Sequence, residues 1–221
     1  MTPVEHIMEA AMIWIRNEPS LEFDRSHRLP LFYRRMWGYL QAAIPLFNRP
    51  PEMLATLRRL SPPRFGSKTL TVPSSGVLQG LAGFQLCSAV KIGLDDLGDP
   101  YPMPLKVSSY DTETGLLTVG EELSEGDTVE TDYSASGYFL DDLQPEACQL
   151  LAFCIYDVWE HRFANNFLER TSKLRDPTFS TVSEASMTQA NTARVLEADR
   201  RLADLLRTYA DNLEYLKYCS P

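Results

Sequence analysis

Soft metal ligands are scarce in this chain, with three histidines and four cysteines in 221 residues. His6, His27 and His161 are dispersed, and none stands at metal spacing from another His or Cys. That excludes the zinc patterns built on paired Cys or His, and a surface or capping role is expected for each His. Cys148 and Cys154 fall in an apolar helical pattern, where a small buried thiol is the ordinary reading. Together with Cys87 and Cys219 they point to a reducing compartment rather than a disulfide framework. Long apolar runs are missing too: none approaches the roughly 20 residues that cross a bilayer. The opening Met1-Thr2-Pro3-Val4-Glu5-His6 has neither the basic nor the apolar segment of a signal peptide. No membrane partner is expected.

The usual carriers of chemistry are missing as well. Gly76, Gly80 and Gly83 lack the Lys-Ser/Thr that completes a phosphate loop, and no Gly-x-Ser-x-Gly nucleophile turn occurs. Carboxylates do pair in sequence, at Asp95/Asp96, Glu121/Glu122 and Asp141/Asp142. Adjacent residues point different ways, whereas acid-base hydrolysis needs two carboxyls facing across a cleft, about 5 to 9.5 Å apart. Asp95-Asp96 with Asp99 departs from the calcium-loop spacing and lacks its closing Glu. The reading is therefore a non-enzyme, with no catalytic, cofactor-binding or metal-binding residue and no cofactor.

Basic residues are thin in one region above all. Residues 1–65 carry a net +3, residues 66–140 a net −8 and residues 141–221 a net −4, so the middle third supplies most of the chain's −9. Such a segment disfavours nucleic-acid binding, which depends on cations displacing counterions from phosphates.

What is present is an ordered alternation of patterns. Ile7, Ala10, Ala11, Trp14 and Ile15 repeat at helical spacing, with Glu18-Pro19 expected to end that helix. A second helix is expected over 30–47, and Asn48-Arg49-Pro50-Pro51 separates it from a short third one. Alternating or β-branched segments at 68–72, 84–92, 105–110, 116–119 and 128–133 predict strands, with residues 94–103 as loop. Asp111-Thr112-Glu113-Thr114-Gly115 is a hairpin turn between two of them. Pro145 opens a long helix, with Asp141, Asp142 and Glu146 at its positive end. Ser186-Met187-Thr188-Gln189 is a capping-box candidate for the last helix, whose apolar stripe runs Val195, Ala198, Leu202, Leu205, Leu206, Tyr209, Leu213, Leu216. The expected fold is α+β: a helical bundle (residues 1–65 and 141–221) with a small antiparallel β-sandwich or barrel inserted at 66–140.

One joint of the chain is distinctive. Gly126-Asp127 opens a strand ending near Tyr133, then Gly137-Tyr138-Phe139-Leu140-Asp141-Asp142-Leu143-x-Pro145-Glu146 leads into an apolar helix with Trp159. Upstream stands Arg28-Leu29-x-x-Phe32, then Trp37-x-Tyr39-Leu40-x-x-Ala43-Ile44-Pro45-x-Phe47-x-x-Pro50. Downstream, Glu169 and Phe179, Ser183 and Ser186 approach the last helix. This pattern resembles the neck proteins of tailed bacteriophages, the head-tail connectors or adaptors.

The resemblance implies a homo-oligomeric, dodecameric ring at the neck of the virion, assembled in the host cytoplasm. It would be bound to the portal and to tail or head-completion proteins, with DNA passing through unbound. It implies a portal contact near the C-terminus, at Tyr209, Leu213, Tyr215, Leu216 and Tyr218. Acidity at Asp95, Asp96, Asp99, Glu121, Glu122 and Glu125 would then face the lumen. Tyr133, Tyr138, Phe139 and Leu143 would form a sheet-helix corner holding the insertion at a fixed angle. The alternatives are a tail terminator or other tail-completion protein, or a non-viral ligand-binding β module.

Overall fold

Strand-forming and helix-forming stretches segregate along this chain, and the computed structural model follows that segregation with a mixed α+β architecture. It describes every backbone position except 17, 75–76, 95–97, 121–122, 174–180 and 220–221; of residues 27, 167–173, 181–187 and 217–219 only the backbone is described. In order come β1 (Thr2–Pro3), α1 (Val4–Ala11), α2 (Pro19–His27), α3 (Leu29–Ala43), a 3-10 turn (Ile44–Leu46), α4 (Pro51–Arg58), β2 (Leu60–Ser61) and β3 (Arg64–Thr71). There follow β4 (Leu78–Gln79), β5 (Gln85–Leu94), β6 (Pro100–Pro104), β7 (Val107–Tyr110), β8 (Leu116–Val119), β9 (Thr128–Ala135) and β10 (Tyr138–Phe139). Two long helices, α5 (Pro145–Lys173) and α6 (Thr181–Cys219), close the chain. Two compact units result: a helical one of Met1–Glu18, Arg35–Ser61 and Tyr138–Pro221, and a strand-rich one of Pro19–Arg34 and Pro62–Gly137.

In the helical unit α5 is the central element. Ala147, Leu150, Leu151, Ala152, Phe153, Cys154, Ile155 and Trp159 are all buried, which is more than one face of a helix. It packs against α1, α6 and the 3-10 turn. Such all-round burial suits a helix enclosed by others. The Trp14 ring meets Phe153 edge-on at 5.2 Å, and the Arg201 guanidinium lies over both, 5.0 and 5.4 Å from their centres. Among the described side chains of α6, Ala198, Leu202 and Leu206 are buried, a stripe at four-residue spacing. A three-stranded ribbon ordered β1-β10-β2 pairs Phe139 with both Thr2 and Leu60.

The strand unit has two antiparallel sheets, ordered β3-β9-β5-β6 and β4-β8-β7. Leu70, Val72, Leu78, Ala89, Leu117 and Val129 make one buried cluster drawn from both sheets. Along β9, Val129, Thr131 and Tyr133 are buried in period two, as a strand with one covered face requires. Gly80 has a steric reason: a Cβ there would run into the Tyr133 ring and hydroxyl.

Several expectations need correction. Pro19 begins α2 instead of ending the first helix, which stops at Ala11. Proline suits a first helical position, where its missing N–H is not needed. The segment expected as loop contains β6, paired with β5 at the sheet edge. Pro100, Pro102 and Pro104 alternate with Tyr101 and Met103, and an edge strand needs donors at one parity only. Ser186 lies inside α6, which starts five residues earlier at Thr181, so Ser186-x-x-Gln189 is not a cap.

Candidate assembly surface

The two long helices run antiparallel and are unequal. Tyr209 of α6 is an electrostatic neighbour of Glu146 in the first turn of α5, while His161 further along α5 meets Asp199. Beyond Tyr209, α6 continues for ten residues to Cys219, about 15 Å at 1.5 Å per residue, after α5 has begun. The stripe that α5 buries further back thus runs on past its cover. Leu213 is half-buried, but Leu216 is 55% exposed and Tyr215 69% exposed. Leu216 follows Tyr209 and Leu213 by seven and three residues, so it lies on the same helical face.

The C-terminal candidates therefore separate. Tyr209 is engaged inside the helical unit: its ring stands edge-on to the buried Phe47 at 5.5 Å, and its hydroxyl donates to the Met53 sulfur at 3.8 Å. Burial raises its pKa. Tyr215 and Leu216 present apolar surface to solvent, and the side chain of Tyr218 lies outside the described residues.

The expected corner also separates. Phe139 is fully buried and Leu143 nearly so, while Tyr138 is partly exposed; all three are in the helical unit. The Leu143 amide donates to Thr2 Oγ1 at 2.8 Å, and that hydroxyl donates to Asp142 at 3.4 Å. Asp141 is paired with Arg59 at 3.2 Å, and the Leu140 amide donates to the Arg59 carbonyl. The N-terminus, the exit of α4 and the start of α5 are thus fastened together. Two-residue strands carry no sequence signal, so β1 and β2 were not foreseen as the partners. Tyr133 belongs to the strand unit, packed against the Tyr110 ring at 5.9 Å, its hydroxyl buried without a hydrogen-bond partner.

Of the acidic candidates, Asp95, Asp96, Glu121 and Glu122 lie outside the described residues; Asp99 and Glu125 are exposed. Part of the middle segment's acidity is used internally. Asp127 accepts from Lys91 at 2.6 Å and from the Ser124 amide, which holds its carboxyl below the ordinary range. Asp111 accepts from the Thr114 hydroxyl and Glu113 amide of its turn, with the same effect. Asp132 accepts from Ser67 and Ser88.

A polar seam between α5 and α6 was missed. Glu160 is buried and accepts from Arg194 at 2.6 Å and from the Tyr156 hydroxyl at 2.9 Å. At the next residue His161 Nε2 lies 2.8 Å from Asp199 Oδ1, and Asp157, one turn before His161, completes the group. Burial, with the Asp199 charge beside it and His161 opposing, pushes the Asp157 carboxyl up to about 6. The Asp157/His161 spacing of four was legible on a helix, but Asp199 joins only through helix packing.

The chain matches no protein-family model, no curated protein and no solved structure. Among the described residues, no helix is long and apolar enough to cross a membrane.

Proposed function

We propose that this chain is a structural protein of the phage neck, a head-tail connector that assembles as a ring on the portal and prolongs the DNA channel. The observation that carries the reading is the end of α6, where an apolar helical face continues past the helix that covers it. Tyr215 and Leu216 there suit burial by another protein, since a partner that removes them from water gains roughly 25 cal/mol per Å² of apolar area. The joint residues from Gly126 to Glu146 that resemble neck proteins add to it. The fastening of β1, β2 and β10 gives identical copies a rigid part with which to close a ring.

The test is co-expression with a portal protein from the genome that encodes this chain, followed by sedimentation and negative-stain microscopy. A stoichiometric ring on the portal is expected, lost in the Tyr215→Glu/Leu216→Glu variant. A chain that never co-sediments with the portal overturns the reading.

A second reading, a ligand-binding β module, has one observation in its favour. An open hollow of about 470 Å³ in the strand unit is lined by Leu86, Cys87, Leu105, Val107 and Tyr110, the size of a small-molecule site. Thermal shift of the full chain across a panel of small apolar molecules separates the two readings.

A further inference from the structure

We propose that Asp157, His161 and Asp199 form a binding site for a divalent first-row cation of the zinc type, clipping α5 to α6. The donor set is two carboxylates and one imidazole, with one ligand atom from each residue and all three within 4.8 Å of one another. Nitrogen and carboxylate oxygen at this spacing suit zinc better than calcium or magnesium, which prefer all-oxygen shells. Two negative charges with a neutral imidazole match a dication.

A second, independent feature points to a ligand here. Asp157 is 3% exposed and its Oδ1 has no hydrogen-bond partner. A buried carboxylate oxygen left unpaired is costly, and such an orphan in a native fold asks for an explanation. The neighbouring Glu160 does not supply one, because its carboxylate is already engaged by Arg194 and Tyr156. A cation held by the Asp157 carboxylate would replace the proton that its burial and its hydrogen bond with Asp199 favour, and would relieve the repulsion between the two carboxylates.

The geometry needs little adjustment. Tetrahedral bonds of roughly 2.0–2.2 Å set ligand atoms about 3.3–3.6 Å apart. The His161–Asp199 contact of 2.8 Å would open slightly, and the wider separations would close. His161 and Asp199 are both about half exposed, so their side chains have room to turn, and the open rim leaves a fourth position for water.

The inference does not depend on the neck reading, and its test reads metal binding directly. The full chain, stripped with chelator, is titrated with Zn²⁺ by calorimetry and followed by melting. One Zn²⁺ per chain is expected, with an upward Tm shift of roughly 5 °C at about a hundredfold excess over Kd. His161→Gln and Asp199→Asn, both at half-exposed positions, are expected to bind about tenfold or more weakly while keeping the helical circular dichroism of the parent. Co²⁺ in place of Zn²⁺ should show ligand-field bands without a thiolate charge-transfer band. The proposal is overturned by absence of binding at about millimolar Zn²⁺, by a thiolate band that moves the site to the cysteines, or by unchanged affinity in both variants.

Discussion

The helical and strand units are stabilised in different ways. The helical unit buries large side chains, among them Phe47, Phe139, Phe153, Met36 and Leu151, around one enclosed helix. The strand unit has an aliphatic core cluster of six residues, buries Tyr133 and Phe32 besides, and adds polar ties: Lys68 to the Gln79 carbonyl, Thr131 to the Lys68 carbonyl, Lys91 to Asp127, Tyr110 to the Leu81 carbonyl. A unit held by volume should respond most to lost methylenes. A unit held by close approach and charge should respond to added atoms and to pH.

The largest effect follows from Phe139. It is fully buried in the ribbon with Thr2 and Leu60, so Phe139→Ala is expected to cost about 3–5 kcal/mol in denaturant unfolding. That cost makes the substitution a poor probe of assembly. Tyr138, its partly exposed neighbour, is the better one.

In the strand unit the corresponding weak point is a glycine. Gly80→Ala places a methyl against the Tyr133 hydroxyl and is expected to cost about 1–3 kcal/mol by overpacking. Tyr133→Phe alone should be close to neutral, because the hydroxyl it removes is buried and unpaired. The double variant should recover part of the loss, a coupling that a double-mutant cycle measures directly. Strict additivity would show that the tyrosine oxygen is not what the new methyl meets.

Acid should move the two units in opposite directions. Asp111 and Asp127 have folded pKa values below the unfolded range, so their contribution is present above about pH 4 and lost as pH falls through the folded values. Asp157 is raised to about 6, so its contribution is complete below the unfolded value near 4 and is lost as pH rises to about 6. All three tryptophans, Trp14, Trp37 and Trp159, lie in the helical unit, so their fluorescence reports that unit alone. With chelator present, tryptophan-detected unfolding should become easier from pH 4 to 6, and Asp157→Asn should flatten that slope. Amide exchange in β8–β9 peptides, corrected for intrinsic rates, should show greater protection at pH 6 than at pH 3.5. Parallel slopes in both units would remove the contrast.

What the sequence made legible depended on whether a local rule sufficed. β8 was located to the residue, and the start of α5 at Pro145 and the turn closed by Gly115, at φ +75°, were readable because period two, a helix-starting proline and a left-handed glycine are local signals. β6 was missed because its prolines read as loop until β5 supplies one paired edge. Asp199 was missed because thirty-eight residues separate it from His161. The candidate face on α6 was half legible: the stripe was visible, but where the cover ends depends on how far α5 extends alongside.

The smallest expected effect on stability belongs to that uncovered end, and there the contrast between the units gives way to one within a single helix. Tyr215→Ala and Leu216→Ala remove side chains already largely in water, so each should change unfolding by about 0.5 kcal/mol or less. Leu206→Ala, ten residues back on the buried stripe, should cost about 2–5 kcal/mol. Portal co-sedimentation should rank the variants the other way, with Tyr215→Ala and Leu216→Ala weakening it and Leu206→Ala sparing it at temperatures where the chain stays folded. If all three weaken co-sedimentation only in proportion to their loss of stability, the end of α6 is a solvated terminus and the contact lies elsewhere.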